Sequence, residues 1–536
     1  MNVDVEPPVV ALAHWLCFSC IGGTPDSSAF THGVDWHADA ADEAGICRNC
    51  SPRALRFNGR HPLLLTYTVF YRQGPSVPES FISDFDALVQ ARPPAQPLVL
   101  FETATVLGGS IAGLLAARVL ADHARQVVIL ERDELPARPG ARTSTPQDQQ
   151  VHTLLPAGRL WLERWLPGFT QETLDAGALL SGSEATATLL DGHRQADAGA
   201  GFELLGASRH LIEAAIRAKV LALPNVSVRH GRATGLRYTD GVVSGIDYVA
   251  EGTSQMLRTD FAVDAMGRPS RLSDWVAAAD FDRPQLTRLE SPINYTTAVF
   301  ARADKAPDLP ITCALSLFSP GHANAGVSVA AANAIEDDQW IVMLMGYDEA
   351  RPGRTADEFR KICAGLPSVF ATAASGPLTR DIVTYHQAES RRRDFAHLSH
   401  FPARLVAVGD AVASFNPIYG QGMSSAALHA SCLSAYLIDE TDLSVPAISF
   451  FERQQVVVDA AWAISAGGDS ERLDAARGTD VPEQVAQQRW ALQQIMSATL
   501  SDPSVAEAFN SVSYMLRHPA SLGDPRLIER ALAASN

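Results

Sequence analysis

An apolar run at residues 103–107 is followed at once by the turn Gly108-Gly109-Ser110-Ile111-Ala112-Gly113 and by small apolar residues up to Leu120. A second apolar run, Val127-Val-Ile-Leu130, comes next. Buried runs on either side of a small-residue helix are typical of a βαβ unit, in which the strands are parallel and covered on both faces. The sequence therefore predicts an α/β fold whose parallel sheet begins near residue 103.

The turn itself has the chemistry of a dinucleotide-binding loop. Gly108 permits a tight turn, the small Ser110 lets the backbone approach a pyrophosphate, and Gly113 lets the helix pack on the strand, while the helix N-terminus attracts phosphate. Gly109 completes the loop. The string G-x-G-x-x-G is weak evidence by itself, and here its second glycine is Ser110, so a purely structural turn is the alternative.

An acidic residue stands where a ribose would need it. Glu131 follows the second apolar run, 18 residues after Gly113, so its carboxylate can accept hydrogen bonds from adenosine ribose hydroxyls. An ordinary surface glutamate is the alternative. The adjacent Arg132 indicates little about a 2′-phosphate, because this first site is expected to hold a flavin dinucleotide rather than the nicotinamide.

A second glycine-bearing turn follows the buried strand predicted at residues 404–408. Asp410, next to Gly409, can accept a hydrogen bond from a ribityl hydroxyl. Backbone N–H groups at the start of the following helix, about residues 424–438, can face the flavin pyrimidine edge, where negative charge accumulates on reduction. The alternative is again structural, a strand-end Asp and a glycine-rich helix cap. The residues of this helix start run from Asn416 to Met423 and include Gly420, Gln421 and Gly422.

A third segment lies between these two turns, Asp264-Ala-Met-Gly267-Arg-Pro-Ser270-Arg271. With all three motifs in order, residues 103–440 resemble the FAD-dependent monooxygenases related to para-hydroxybenzoate hydroxylase, squalene epoxidase and the bacterial polyketide and polyether epoxidases. The chain departs from the family in having about 100 residues before the first motif. It also has Ser144-Thr-Pro-Gln-Asp148 where members often have Gly-Val-Pro-Gln-Gly, and Trp340-Ile-Val-Met does not match the halogenase Trp-x-Trp-x-Ile-Pro stretch.

The resemblance assigns cofactor contacts to the third segment and, more weakly, to two other positions. Ser208-Arg209 resembles the helix start whose arginine reaches FAD, and His152 resembles a histidine before the substrate sheet, although a packed or solvent-facing histidine is the alternative. The residues predicted to bind cofactor are Gly108, Gly109, Ser110, Gly113, Glu131, Arg132, Arg209, Asp264, Gly267, Arg271, Gly409, Asp410, Gly420, Gln421, Gly422 and Met423.

The expected fold is α/β, with a Rossmann-type FAD-binding domain interleaved with a mixed-sheet substrate domain and followed by a helical C-terminal region. Within 101–440, residues 101–175, 200–278 and 395–440 are assigned to FAD binding, and 176–199 and 279–394 to the substrate domain. Residues 1–100 are treated as an extension with little helical or strand periodicity. Residues 441–536 form the helical region.

The activity implied by the resemblance is monooxygenation with FAD, NADPH or NADH, and dioxygen. A flavin hydroperoxide then transfers the oxygen, so no catalytic side chain is expected. The apolar strands of the substrate domain favour a hydrophobic organic substrate, hydroxylated or epoxidised in secondary metabolism, although the same residues could be ordinary core. The alternatives are an FAD-retaining non-redox cyclase and a flavin-dependent halogenase or reductase.

The composition excludes other classes of function. A formal net charge of −17 disfavours nucleic acid as a partner. No apolar run reaches the ~18 to 20 residues of a membrane span, and Val9–Phe18 lacks a basic region before it, so a cytoplasmic protein is expected.

Four of the seven cysteines are paired in sequence, as Cys17-x2-Cys20 and Cys47-x2-Cys50. Two such pairs can supply four thiolates to a zinc or iron ion. The flanking sequence lacks strand or turn regularity, so unbound reduced thiols are favoured over a metal site. The others, Cys313, Cys363 and Cys432, are expected to be packed thiols.

Overall fold

The computed structural model describes residues 79–136, 138–302, 310–319 and 325–534. The α-helices in these ranges are α1 Glu79–Gln90, α2 Ile111–Ala121, α3 Pro156–Trp165, α4 Phe169–Asp175, α5 Arg209–Leu221, α6 Leu272–Ala277, α7 Ala356–Ala364, α8 Ser368–Ala373, α9 Gly422–Asp439, α10 Ile448–Arg477, α11 Glu483–Ala498, α12 Pro503–Ser513 and α13 Pro525–Ala534.

The strands are β1 Phe101–Leu107, β2 Ala124–Glu131, β3 Thr153–Leu154, β4 Leu179–Ser181, β5 Thr186–Leu190, β6 His193–Arg194, β7 Leu204–Gly206, β8 Val226–His230, β9 Arg232–Thr239, β10 Val242–Ala250, β11 Thr253–Arg258, β12 Phe261–Asp264, β13 Gln285–Ala301, β14 Cys313–Leu317, β15 Val329–Ile335, β16 Gln339–Tyr347, β17 Val383–Asp394, β18 Leu405–Ala407 and β19 Ala413–Ser414.

A five-stranded sheet in the order β18-β12-β1-β2-β8 carries the first glycine turn, and all of its pairs are parallel. Its central strands are apolar because both faces are covered: Val106 and Val263 are fully buried. Helix α2 connects β1 to β2 and packs between β2, α5 and α9. The carboxyl ends of β1, β2, β12 and β18 therefore meet at one edge, which is where open α/β sheets bind ligands.

An eight-stranded sheet in the order β19-β17-β13-β16-β15-β14-β5-β6 forms the second layer. Its pairs are antiparallel except β14 with β5, so the sheet is mixed. The chain moves repeatedly between the two sheets, and β19 begins only a few residues after β18. This arrangement confirms the predicted α/β fold with a Rossmann-type domain interleaved with a mixed sheet.

The region after residue 445 is helical, as predicted, and it packs on both layers. Phe451 of α10 stacks on Phe395 at 4.8 Å between ring centroids. Just after β6, Ala196 N–H donates at 2.8 Å to the carbonyl oxygen of Thr499 at the end of α11, and Tyr514, directly after α12, packs on Phe202.

One helix was not expected from the sequence. Helix α1 lies within residues 1–100, where little periodicity was seen, yet Phe85 and Leu88 are buried. The Ser431 hydroxyl of α9 donates to Leu88 O at 2.7 Å, which fixes α1 to the parallel-sheet layer. In the described ranges no helix has the length and apolar character needed to cross a membrane.

Candidate functional site

A cavity of about 790 Å³ lies between the carboxyl edge of the five-stranded sheet and one face of the eight-stranded sheet. This volume is within the ~300 to 1,000 Å³ typical of ligand sites. Both glycine-bearing turns open onto the cavity, as do apolar side chains of β14, β15 and β16. The sequence motifs thus converge on one space.

The first turn leaves room that only glycines provide. Gly108 has φ +107°, and a Cβ on it would lie 2.5 Å from Ala265 O. A Cβ on Gly113 would lie 1.8 Å from Gly108 O, so this glycine sets the approach of α2 to β1 and does not line the cavity. Gly108 and Ser110 do line it, beside the N-terminus of α2. A narrow backbone cradle at a helix N-terminus fits a pyrophosphate.

Arg132 lines the cavity. Glu131, the last residue of β2, lines it as well. Its carboxylate accepts hydrogen bonds from Gly109 N–H at 2.6 Å and from Asp133 N–H at 2.9 Å. Arg142 also lies 2.8 Å from this carboxylate. Because a carboxylate has about four acceptor positions, the three contacts leave about one for a ribose hydroxyl. Glu131 therefore supports the turn in addition to facing the cavity.

A buried ionic network surrounds the first turn. The Arg142 guanidinium, which is 8% exposed as a residue, lies 2.6 Å from Glu213 and 2.8 Å from Glu131. Arg209 contacts Glu213 at 3.2 Å and donates to the Ser110 hydroxyl at 2.9 Å. Burial tends to raise the pKa of Glu213, but the charges of Arg209 and Arg142 outweigh it and lower that pKa.

The sequence analysis missed Arg142 and Glu213. Glu213 lies four residues after Arg209 on α5, a spacing that favours an ion pair on one helix face and could have been noticed. Arg142 lies in a loop with no regular spacing to its partners, so no sequence signal marks it.

In the segment that begins at the end of β12, one predicted residue stabilises the turn and two others line the cavity. Asp264 is fully buried and does not line the cavity; it accepts from Met266 N–H at 3.0 Å and from the Ser270 hydroxyl. Burial raises the pKa of Asp264 to about 6. Gly267, with φ +72°, and Arg271 both line the cavity. Asp264 thus shapes the turn, and the two later residues face the open space.

At the second turn, Gly409 adopts φ +61° and its N–H donates to Nδ1 of the buried His429 at 2.9 Å. Burial lowers the pKa of His429 to about 3, so the imidazole is neutral. Asp410 lines the cavity, and the described residues that act on its carboxylate do so through charge and not through a hydrogen bond. Burial raises the pKa of Asp410, although Arg268 and Arg209 oppose that shift.

The start of α9 presents Gly420, Gly422 and Met423 to the cavity. Gly420 has φ +67°. Gln421 points elsewhere: it is 1% exposed, does not line the cavity, and its amide finds no partner in the described part of the chain. Of the four predicted residues at this helix start, three are therefore brought to the cavity.

Asn416, just before this helix start, is held in place by a residue of the C-terminal region. Its amide donates to both carboxylate oxygens of Asp469 on α10, at 2.9 and 3.1 Å. Burial raises the pKa of Asp469 to about 6, against its hydrogen bond with Asn416 and the charge of Arg472. The sequence analysis missed Asp469, because nothing links it in sequence to residue 416.

His152 lies at the cavity, whereas Ser208 caps a helix. His152 lines the cavity with Nδ1 2.9 Å from Gln150 O, and burial together with Arg209 lowers its pKa to about 4. Ser208 caps α5 by accepting from Leu211 N–H at 3.2 Å. Its neighbour Arg209 lines the cavity.

The cysteine pairs Cys17/Cys20 and Cys47/Cys50 lie outside the described residues. Within the described ranges, no group of three or more His, Cys, Asp or Glu side chains is arranged to hold a metal ion. Cys313, Cys363 and Cys432 are buried free thiols, as expected.

Known proteins share this architecture. Residues 102–445 match the family described as FAD binding domain. Protein Rv3254 of Mycobacterium tuberculosis is 31% identical over 358 residues, which cover 62% of this chain and 72% of that protein.

Two solved structures have the same fold at low identity. The p-nitrophenol 4-monooxygenase PnpA of Pseudomonas putida superposes with a TM-score of 0.55 at 16% identity, covering 78% of this chain and 99% of that one. The Diels-Alderase PyrE3 of pyrroindomycin biosynthesis has a TM-score of 0.51 at 15% identity, covering 77% and 80%. With the family match over most of the chain, these findings show that the protein is a member of the FAD-dependent monooxygenase family, as its motifs indicated.

Proposed function

We propose that this protein is a monooxygenase that uses NADPH or NADH and dioxygen to hydroxylate or epoxidise a hydrophobic organic substrate. The observation that carries the proposal is the single cavity that joins both glycine turns to the apolar face of the eight-stranded sheet. A cofactor and a substrate in one enclosed space would be in direct contact, which oxygen transfer requires.

The proposed cofactor contacts follow the two turns. Gly108 and Ser110 hold the pyrophosphate at the start of α2, with Glu131 on the adenosine ribose. Gly109 does not line the cavity and acts through the hydrogen bond from its N–H to Glu131. Arg209 is proposed to reach the same region, and Arg132 borders it.

Asp410 accepts from the ribityl chain in this proposal, since it lines the cavity and the described residues act on its carboxylate through charge and not through a hydrogen bond. Backbone N–H groups at Gly420, Gly422 and Met423 face the flavin ring. Gly267 and Arg271 line the wall near the nicotinamide. Gly113, Asp264 and Gln421 act indirectly, because none of them lines the cavity.

Bound FAD would supply the redox and oxygen-activating chemistry. The chain contributes orientation and exclusion of water through apolar wall residues of the eight-stranded sheet, among them Leu315, Leu317, Ala331 and Met343. A neutral His152 in the wall adds no positive charge at neutral pH.

The test uses purified holoenzyme and a panel of phenols, polyenes and polyketides. Substrate-dependent NADPH or NADH oxidation, together with one atom from labelled dioxygen in the product, is the expected result. An absence of flavin reduction by either nicotinamide across the panel would overturn the proposal. Product formation is measured in parallel without oxygen.

A second candidate is a non-redox cyclase that retains FAD as a structural element. The likeness in fold to the Diels-Alderase PyrE3 favours it, because this fold accommodates such an activity. A cyclase would form product anaerobically without consuming nicotinamide. A monooxygenase would form none under the same conditions.

A further inference from the structure

The ionised side chains of the cavity wall are confined to one part of it. Every described ionised side chain of the wall belongs to the part built on the five-stranded sheet; these are Glu131, Arg132, Arg142, Arg209, Arg232, Arg268, Arg271 and Asp410. The wall formed by β5, β14 and the C-terminal helix α12 has none among the described residues. That far end is therefore a neutral environment.

Several uncharged polar side chains nevertheless face this far end. Gln195, Asn510 and Ser513 line the cavity and are 9%, 8% and 7% exposed. The Ser513 hydroxyl is buried and has no hydrogen-bond partner in the described part of the chain. Buried polar groups are normally paired, so this unpaired hydroxyl, together with the amides of Gln195 and Asn510 on the same space, indicates a ligand that pairs with them.

The three residues are brought together by the docking of α12 on the edge of the mixed sheet. Gln195 N–H donates to Thr188 O of β5 at 2.8 Å, and Ala196 N–H donates at 2.8 Å to the carbonyl oxygen of Thr499, which lies between α11 and α12. Tyr514, at the end of α12, packs on Phe202 with ring centroids 5.9 Å apart. These contacts make α12 a wall of the cavity, although the family match ends at residue 445.

The far end is well separated from the second glycine turn. Tyr385 and Gln387 of β17 line the cavity beside that turn, and β5 is five strands further along the sheet. At about 4.8 Å per strand spacing, the two ends are roughly 24 Å apart along the sheet. Between them the wall is mainly apolar, with Met343, Ala331 and Leu315 on consecutive strands.

We propose that Gln195, Asn510 and Ser513 form a subsite for a neutral hydrogen-bonding terminus of an elongated, mostly apolar substrate. The terminus is a hydroxyl, carbonyl or amide, because the described wall at this end offers no cation for a carboxylate and no anion for an amine. This inference rests on the proposed function, since it identifies the class of substrate that the same cavity takes.

Two probes of equal length test the subsite: para-undecylphenol and its counterpart with the terminal methyl replaced by hydroxyl. Equilibrium dialysis with the holoenzyme measures binding without turnover. The hydroxyl-terminated probe should bind at least about 5-fold more tightly, because a methyl leaves buried polar groups unpaired. Asn510→Leu should abolish or reverse this preference, and Ser513→Ala should reduce it.

Ser511→Ala is the matched control, because Ser511 lies on the same helix, bonds to Glu507 O at 2.8 Å and does not line the cavity. It should keep the wild-type preference. Equal binding of the two probes, binding of neither, or a preference that survives both Asn510→Leu and Ser513→Ala would overturn the subsite. A failure of the proposed function is separate: binding preference would persist without any probe-dependent oxygen uptake.

Discussion

The turn at Gly108–Gly113 and the turn at Gly409–Met423 border the same cavity, but different interactions hold their backbones. Around the first turn, Arg142 and Arg209 form buried ion pairs with Glu131 and Glu213. Around the second, a neutral His429 accepts from Gly409 N–H. Oppositely charged side chains thus hold the first turn, whereas Gly409 of the second turn is held by a hydrogen bond to a neutral imidazole.

The two turns also differ in how far along the sequence the residues that stabilise them lie. The residues that fix the first turn come from residues 108–213, within the matched family region. Asn416 of the second turn is held by Asp469, which lies beyond that region. The part of the chain with the least family signal therefore helps to shape the more reactive end of the proposed site.

Arg142→Met should have the largest effect, because it removes the buried cation that Glu131 and Glu213 share. The free energy of unfolding should fall by about 3 to 5 kcal/mol in chemical denaturation. Arg125→Met is the control, since its pair with Glu102 is exposed and should change stability by less than about 1 kcal/mol. Adding Glu213→Gln to Arg142→Met should recover part of the loss. If it recovers none, charge is not what holds the first turn.

Gly113→Ala tests the close approach of α2 to β1. Its Cβ would lie 1.8 Å from Gly108 O, so the turn must shift, and stability should fall by about 3 kcal/mol with a loss of FAD affinity. Gly235→Ala, where the nearest neighbouring atom would be 3.9 Å away, should leave FAD affinity unchanged. FAD titration followed by flavin fluorescence measures both variants. Unchanged affinity in Gly113→Ala would show that this approach is not needed for binding.

The buried Asp469 should make the second turn sensitive to pH. Its pKa of about 6 in the folded protein exceeds the ordinary 3.8, so folding favours the protonated carboxyl. The associated stability is present at low pH and is lost as pH rises through 6. Relative to Asp469→Asn, wild type should lose about 2 kcal/mol between about pH 4 and pH 7.5. A difference between the two proteins that does not vary with pH would contradict this account.

Asp410→Ala should have the smallest effect on stability, and its effect should be on cofactor binding. If its carboxylate accepts from the ribityl chain, the lost contact is worth roughly 1.5 to 3 kcal/mol, or about 10-fold to 150-fold in FAD affinity. Asp442→Ala removes an exposed loop carboxylate that accepts from Ser444 N–H and should not affect FAD. A yellow Asp410→Ala protein with wild-type FAD affinity would place the flavin elsewhere.

The sequence by itself determined the α/β class, the first βαβ unit and the family. The βαβ unit rests on local properties, since strand periodicity, glycine positions in a tight turn and an acid at a strand end lie within about 30 residues of one another. The family was indicated by three such local motifs in order along residues 103–440. Local backbone geometry depends on neighbouring residues, so it can be inferred without knowledge of the rest of the chain.

Only the tertiary structure decided which motif residues face the cavity and which lie behind it. Asp264 and Gln421 belong to recognisable motifs, yet both are buried away from the open space. The sequence did not reveal the pairing of Arg142 with Glu213 or of Asp469 with Asn416, because these partners lie 71 and 53 residues apart. Such contacts arise when distant segments pack together, and neither spacing nor periodicity encodes which pairs will meet.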